Sequence, residues 1–416
     1  MIKTCAHDGE KYNSSLFSSH GFNLDENRDI KEVDLYDSIT GEKTGDTETI
    51  LDFVGFVTND NDDLLVVFPK HYKVSKVEND ARAIFDCISK HSQKRPELYI
   101  GEAAGKTFSS NYPFAAFFGI YDYFVNYGLY FKDKTFIKPN TGGRLSWKET
   151  ISKSEKFIVK GDVVMFPLYY RKNYHFSNFI TECMIFAIDY TIQKFGVFIN
   201  ASSTGQDFPE LNFLEEREYV LNVLSQLRQQ TFKDTEQQLI DNLLIYFSEV
   251  NIGGAYYLKH YSFSSIWEDM VTDYLCKLYK GVDASHAIVF DKISPSGLHF
   301  EKKSFHTNGA KPAQYISPDH YCEDSKIQLI FDAKYYSYIR GMNYKQIAYM
   351  FMLRGIKDPV SKRQKFANTY SALILPSENR DTKIHFQLDD IYGGSNDLII
   401  TEEYIDIREV IHTFIE

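Results

Sequence analysis

The stretch Pro318-Asp319-His320-Tyr321-Cys322-Glu323-Asp324-Ser325-Lys326-Ile327-Gln328-Leu329-Ile330-Phe331-Asp332-Ala333-Lys334 decides how the chain is read. Its second half, Ile327 to Phe331, is an apolar run rich in β-branched and aromatic residues, the pattern of a buried strand, and Asp332 and Lys334 sit at its exit. Side chains alternate faces along a strand, so a carboxylate and an ammonium group look into the same cleft. Asp319 precedes a polar turn, Glu323 to Lys326. A hairpin through that turn returns the Asp319 carboxylate to within about 5 Å of Asp332 on the neighbouring strand. Two converging carboxylates make a site for a hard divalent cation, with Lys334 placed to orient a water.

An acidic residue two positions before a lysine is a common accident, and residues 251–416 alone have four such cases: Glu301-Lys303, Asp324-Lys326, Asp332-Lys334 and Asp381-Lys383. Three lie in polar, turn-like sequence. Only Asp332-Lys334 follows a strongly apolar strand, has a Pro-Asp upstream and precedes a helical pattern.

A chain of 416 residues with 43% hydrophobic and 25% charged residues has room for two or three domains with proper cores. With 30 Tyr and 33 Phe those cores are expected to be well filled. No run of eighteen apolar residues and no signal peptide stands out, so no membrane association and a cytoplasmic location are expected. Five cysteines, Cys5, Cys87, Cys183, Cys276 and Cys322, have no paired spacing, which argues against a disulfide framework or a zinc site. The formal net charge is −11. Proteins that hold DNA by their own electrostatics carry a basic excess, so a nuclease of this charge needs a local basic cleft or a partner that supplies the grip.

Along the chain, the first fifty residues are polar, with turn signals such as Ile39-Thr40-Gly41-Glu42, and short strands or loops are expected. Phe53 to Val57 and Leu64 to Phe68 flank a turn-rich Asn59 to Asp63 and read as a hairpin. Val77 to His91 has the spacing of an amphipathic helix. Gly101-Glu-Ala-Ala-Gly-Lys-Thr107 has three residues where a phosphate loop needs four between its first glycine and its Gly-Lys pair, and reads as an ordinary loop. Tyr112 to Phe131 reads as a core helix, Gly142-Gly143-Arg144 as a surface turn, Val163 to Tyr169 as a strand and Phe176 to Lys194 as a helix.

Two further helices are expected at Glu215 to Phe232 and Thr235 to Phe247, followed by a boundary near Asn251-Ile-Gly-Gly254. Two consecutive blocks result, 1–250 and 251–416. In the second block, Ser264 to Leu275 forms a helix whose apolar face is Ile266, Trp267, Met270, Val271 and Leu275, with Glu268 flanking it towards the cleft. Ala287 to Phe290 reads as a strand, Tyr344 to Leu353 as a helix with Gln346 and Tyr349 on one side, Ala372 to Pro376 as a buried strand, and Ile405 to Ile415 as a final strand or helix. The fold class is mixed α/β, an α+β N-terminal region before a central mixed sheet flanked by helices.

The order helix with Glu268, strand, Pro318-Asp319, Asp332-Ala333-Lys334, helix with Gln346, strand resembles the core of the PD-(D/E)XK nucleases. More narrowly, Phe-Val-Gly-Phe-Val57, Leu-Val-Val-Phe-Pro-Lys70, Gly-Gly-Arg-Leu-Ser-Trp147, Ile-Trp-Glu268, Phe-Asp-Ala-Lys-Tyr-Tyr336 and Lys-Gln-Ile-Ala-Tyr349 are similar to the LlaJI family of restriction endonuclease subunits, relatives of the McrC nuclease subunit of GTP-driven restriction systems. The resemblance implies that residues 251–416 are the nuclease domain and 1–250 an accessory, partner-docking region. It implies that Asp319, Asp332 and the backbone carbonyl of Ala333 ligate Mg²⁺, with Mn²⁺ as a substitute, and that Glu268 serves a second ion. Lys334 would position or deprotonate the attacking water, Gln346 would orient groups around the cleft, and Tyr349 would pack behind it. The implied reaction is hydrolysis of double-stranded DNA to 5′-phosphate ends, with GTP used only by a separate McrB-like AAA+ GTPase subunit. A stand-alone restriction or repair nuclease and a non-catalytic activator of such a GTPase are the alternatives.

Overall fold

The computed structural model describes residues 2–22, 24–36, 43–61, 63–99, 104–140, 142, 144–159, 161–176, 179–196, 199–250, 255–293, 296–339, 341–392 and 398–416. The turn expected at Ile39 to Glu42, the boundary at Asn251 to Gly254 and the start of the Gly101 loop lie outside these residues. Two compact units are present: Met1–Ala115 with Val197–Asn200 and Asn251–Glu416, and Ala116–Gly196 with Ala201–Val250. The chain is therefore not divided into the two consecutive blocks 1–250 and 251–416. Its first 115 residues pack with its last 166, and the physical reason lies in the first of the two main sheets.

That sheet contains β1 (Ile2–His7), β2 (Val54–Thr58), β3 (Leu64–Phe68), β4 (Phe108–Ser110) and β5 (Tyr257–His260), in the order β1-β3-β2-β5-β4. The expected hairpin is β2 and β3, antiparallel in register Thr58↔Leu64 to Gly55↔Val67. β5 enters between β2 and β4 and pairs with both, so a strand from the far side of residue 250 completes a sheet begun by the first 110 residues. Gly55 makes this possible. It has φ +149°, and a Cβ there would stand 2.0 Å from the Leu258 carbonyl oxygen. Against the sheet lies α1 (Val77–Lys94), whose buried face includes Ala81, Ile84, Phe85 and Ile88.

The second sheet contains β6 (His320–Asp324), β7 (Ile327–Ala333), β8 (Asn368–Ser377), β9 (Asp381–Gln387) and β10 (Ile399–Asp406), in the order β6-β7-β8-β10-β9. β7, β8 and β10 run parallel, and antiparallel β6 and β9 close the edges. β7 is buried from Gln328 to Ala333 and β8 from Ser371 to Pro376, the continuous burial of covered parallel strands. Three helices flank the sheet or follow from it: α2 (Phe263–Leu278), α3 (Tyr344–Arg354) and α4 (Ile407–Ile415). The apolar face expected for α2 is observed, with Ile266, Trp267, Met270, Val271 and Leu275 fully buried. The chain end left open between strand and helix resolves into both, because Asp406 caps α4 by accepting the Arg408 and Glu409 backbone N–H groups. Helix α4 packs on both α1 and α2, which binds the C-terminus to the N-terminal third.

The second unit is built around helices Phe114–Tyr127, Phe179–Phe195, Arg217–Gln229 and Asp234–Glu249. Phe114–Tyr127 is shorter than the expected Tyr112 to Phe131 because Pro113 precedes it and Gly128, at φ +74°, follows it. Phe186, Phe213 and Phe247 stack at its core, with Phe186–Phe213 centroids 5.0 Å apart. The single strand expected at Val163 to Tyr169 is two, Asp162–Phe166 and Tyr169–Phe176, divided at Pro167, which has no N–H for a ladder. Arg144 is exposed on a two-residue strand opposite Arg171. The last residues of the loop expected at Gly101 to Thr107 form one helical turn, Ala104–Thr107, in the first unit. All five cysteines are free. Among the described residues no helix is long and apolar enough to cross a membrane.

Candidate active site

β6 and β7 are the hairpin expected through the polar turn, and its tip is Ser325-Lys326 with Ser325 at φ +53°. The ladder pairs His320 with Phe331, so Asp319, one step further out, stands opposite Asp332 and on the same face. The two carboxyl groups come within hydrogen-bonding reach of one another. Asp332 is fully buried and Asp319 nearly so. Burial pushes the Asp332 carboxyl above its usual range, the neighbouring Asp319 pushes in the same direction, and Lys334 opposes both.

Lys334, 13% exposed, pairs through Nζ with Asp332 Oδ2. Its backbone N–H donates to the Ile374 carbonyl (2.8 Å), and Ala333 pairs with Ile374 in the ladder, so β8 fixes the exit of β7. Glu268, on α2, is brought to the same place. Lys302 Nζ stands 3.0 Å from Asp319 Oδ1 and 3.5 Å from Glu268 Oε2, bridging them. A third ammonium, Lys345 Nζ on the first turn of α3, lies 3.6 Å from Asp332 Oδ1.

The supporting groups lie behind the carboxylates. Thr272 Oγ1 donates to the Glu268 carbonyl oxygen (3.0 Å) and so accepts from His320 Nδ1 (3.1 Å), tying α2 to the hairpin. Burial lowers the His320 pKa to about 4, leaving the ring neutral. Gln346 Nε2 donates to the carbonyl oxygens of Ile330 (2.8 Å) and Ala372 (3.3 Å) and to Ser371 Oγ (2.9 Å). It thus braces the strand that carries Asp332. Tyr349 packs with Tyr321, Ile330 and Leu353, and its hydroxyl donates to the Ser317 carbonyl (2.9 Å), fixing the approach to Pro318.

Asp332 Oδ1 is buried and accepts no hydrogen bond. A buried carboxylate oxygen without a donor, beside a second carboxylate, is a donor set suited to a hard divalent ion. Among the described residues no group of three or more His, Cys, Asp and Glu could hold an ion as it stands, and Lys302 lies between Glu268 and Asp319. The structure thus brings together Asp319, Asp332, Ala333, Lys334 and Glu268. It adds Lys302 and Lys345, which sequence reasoning missed. Lys302 comes from an irregular segment with no periodic signal, and Lys345, though adjacent to Gln346, is an ordinary residue of an exposed helix start.

The family model of the LlaJI restriction endonuclease matches residues 53–411, from the residue before β2 to the middle of α4, with every candidate residue inside. The chain belongs to the LlaJI restriction endonuclease family. No curated protein matches it. Among solved structures, this LlaJI family member is similar to a chain of the "refined half-complex from tetradecameric assembly of Thermococcus gammatolerans McrB AAA+ hexamers with bound McrC", at 11% identity and TM-score 0.39, covering 99% of this chain and 98% of that one. It is also similar to a chain of the cryo-EM structure of the Thermococcus gammatolerans McrBC complex, at 10% identity and TM-score 0.22, covering 61% and 82%.

Proposed function

We propose that this LlaJI family member is the DNA-cleaving subunit of a GTP-driven restriction system, hydrolysing phosphodiester bonds of double-stranded DNA at a PD-(D/E)XK site. The observation that carries this reading is the pairing of Asp319 with Asp332 on one face of the β6–β7 hairpin, with Lys334 in the same cleft. Asp319, Asp332 and the Ala333 carbonyl would hold Mg²⁺ or Mn²⁺, with Glu268 available to a second ion. When bound, the metal supplies Lewis-acid polarisation of the phosphate and an acidified water. Lys334, one of the less solvent-exposed cations of the cleft, would orient the attacking water and offset charge on the phosphate. Gln346 holds the Asp332 strand in place from behind, and neutral His320 holds Asp319 against α2. Lys302, Lys334 and Lys345 offset the three carboxylates of the cleft and so lessen the repulsion that a phosphate meets in a chain of net charge −11.

GTP would act only through a separate McrB-like AAA+ subunit. A feature of the second unit supports a docking role. The hairpin Glu155–Val159 and Asp162–Phe166 exposes Phe157, Ile158, Val159, Val163, Val164 and Phe166, with Ile158 81% exposed. An apolar patch of that kind on a small two-stranded ribbon is suited to burial against another protein.

The test is DNA cleavage by wild type and Asp332→Ala, with and without a McrB-like AAA+ GTPase subunit and GTP. Cleavage by wild type only, and only with partner and GTP, is expected. Cleavage at defined sites by the chain with Mg²⁺ alone would make it a stand-alone nuclease. Unchanged phage restriction by Asp332→Ala would make it a non-catalytic activator.

A further inference from the structure

Three carboxylates and three ammonium groups meet in the cleft, and they are not evenly shared. Asp332 is approached by two lysines, Lys334 and Lys345, whereas Asp319 and Glu268 share one, Lys302. Lys302 belongs to neither of the elements that carry its two partners. Its backbone is anchored next door. Phe300 is fully buried, and Glu301 and Tyr321 exchange backbone hydrogen bonds of 3.1 and 2.8 Å. From that anchor the side chain, 59% exposed, reaches over the hairpin into the gap between Asp319 Oδ1 and Glu268 Oε2. Those two oxygens are the ones that a second divalent ion would need.

We propose that Lys302 is a resident cation that competes with a divalent metal ion for Asp319 and Glu268, so that this lysine sets how many ions the cleft holds. The inference rests on the metal-dependent reading of the site given above.

Three lysines face three carboxylates in the cleft, one for one. A divalent ion entering at Asp319 and Asp332, where Oδ1 of Asp332 is buried without a donor, adds two positive charges. The balance returns only if an ammonium group withdraws and a phosphate arrives. Lys334, 13% exposed and held at the strand exit, cannot withdraw without breaking its pair with the buried Asp332. Lys302, 59% exposed against 13% for Lys334, can swing into water, and its contact with the 39% exposed Glu268 lies at the mouth of the cleft. An ion spanning Glu268 and Asp319 would occupy the space that its Nζ now takes. The lysine therefore holds Asp319 and Glu268 together in the resting protein and yields its place when a second ion spans them.

The experiment is direct counting of Mn²⁺ bound by the full chain, by calorimetry and by the paramagnetic resonance of free Mn²⁺, in wild type, Lys302→Met, Lys302→Gln, Lys302→Arg and Asp332→Asn. Methionine keeps the apolar stem and removes the charge. Lys302→Met and Lys302→Gln are expected to bind Mn²⁺ at least about fivefold more tightly than wild type, or to take up one more ion, the scale of a typical coupling between two ligands. Lys302→Arg, which keeps the cation, is expected to stay near wild type. If Asp332→Asn loses Mn²⁺ while both neutral Lys302 variants bind it with wild-type affinity and number, the metal site stands and the competition is overturned. If neither wild type nor Lys302→Met binds Mn²⁺ while both keep wild-type circular dichroism, the metal-dependent reading itself fails and the competition falls with it.

Discussion

The hydroxyl of Tyr335 accepts the backbone N–H of Lys70 at 2.9 Å, across 265 positions of sequence. Tyr335 directly follows Lys334. Lys70 Nζ also lies 4.7 Å over the Tyr335 ring and 3.2 Å from the buried Asp8 carboxylate. Next door, His71 Nε2 is 3.1 Å from the Ser337 carbonyl oxygen. The end of β3 therefore clamps the segment that leaves the Lys334 strand. Tyr335→Phe removes the acceptor of a half-buried N–H and should cost about 1–3 kcal/mol in urea unfolding. DNA cleavage should fall less than in Lys334→Ala. Unaltered unfolding would show that the clamp contributes nothing.

Replacing either carboxylate of the hairpin should abolish cleavage while leaving the fold. Asp319→Asn, Asp332→Asn and Lys334→Ala are each expected to lower single-turnover cleavage by about 10²-fold or more, the range for removal of a positioned proton-transfer or charge-stabilising group. Circular dichroism should match wild type, since asparagine keeps the volume of the buried side chain. A variant that still cuts at half the wild-type rate would exclude its residue from the chemistry.

His260 offers a test by pH. Its ring is buried among Tyr99, Phe108 and Phe263, with neither nitrogen hydrogen-bonded, and burial lowers its pKa to about 3, His91 adding to the shift. The folded value lies below the unfolded value of about 6.5. The unfolded chain therefore takes up the proton first on acidification. The stability this gives is present above pH ~6.5 and is lost as pH falls towards the folded value. His260→Phe should move the midpoint of acid unfolding to lower pH, and an unmoved midpoint would place the acid-sensitive group elsewhere.

Gly55→Ala should unfold the first unit or destabilise it by more than about 4 kcal/mol, because the added carbon meets the Leu258 carbonyl at 2.0 Å in a backbone conformation that L residues avoid. Thermal unfolding followed by near-ultraviolet circular dichroism measures it. A small loss would mean that β5 can shift away from β2.

The hairpin was legible because its signals are local. An apolar strand, a polar turn and alternating faces put Asp319, Asp332 and Lys334 together without reference to the rest of the chain. Glu268 was legible from the three-four spacing of α2 beside it. Lys302 and Lys345 were not, since a lysine on an irregular segment or at the first turn of a helix looks the same whether or not a carboxylate waits opposite. Nor was the pairing of β5 with β2, because four residues carry no mark of which of several strands they join. Gln346 was found by its place on α3, yet its bonds to Ile330, Ser371 and Ala372 depend on β8, which the sequence leaves twenty-five positions away.

The place of β5 in the first sheet also bears on how the protein is made. Thr58 bonds to Tyr256 across 198 positions, so β2 emerges from the ribosome long before its neighbour exists. At about 5–20 residues per second that edge stays open for roughly 10–40 s during translation. Until then the nascent chain presents Phe56 and Val57 on a strand paired with β3 on one edge and open on the other, while the inserted helices from Phe114 to Glu249 are synthesised and can fold first.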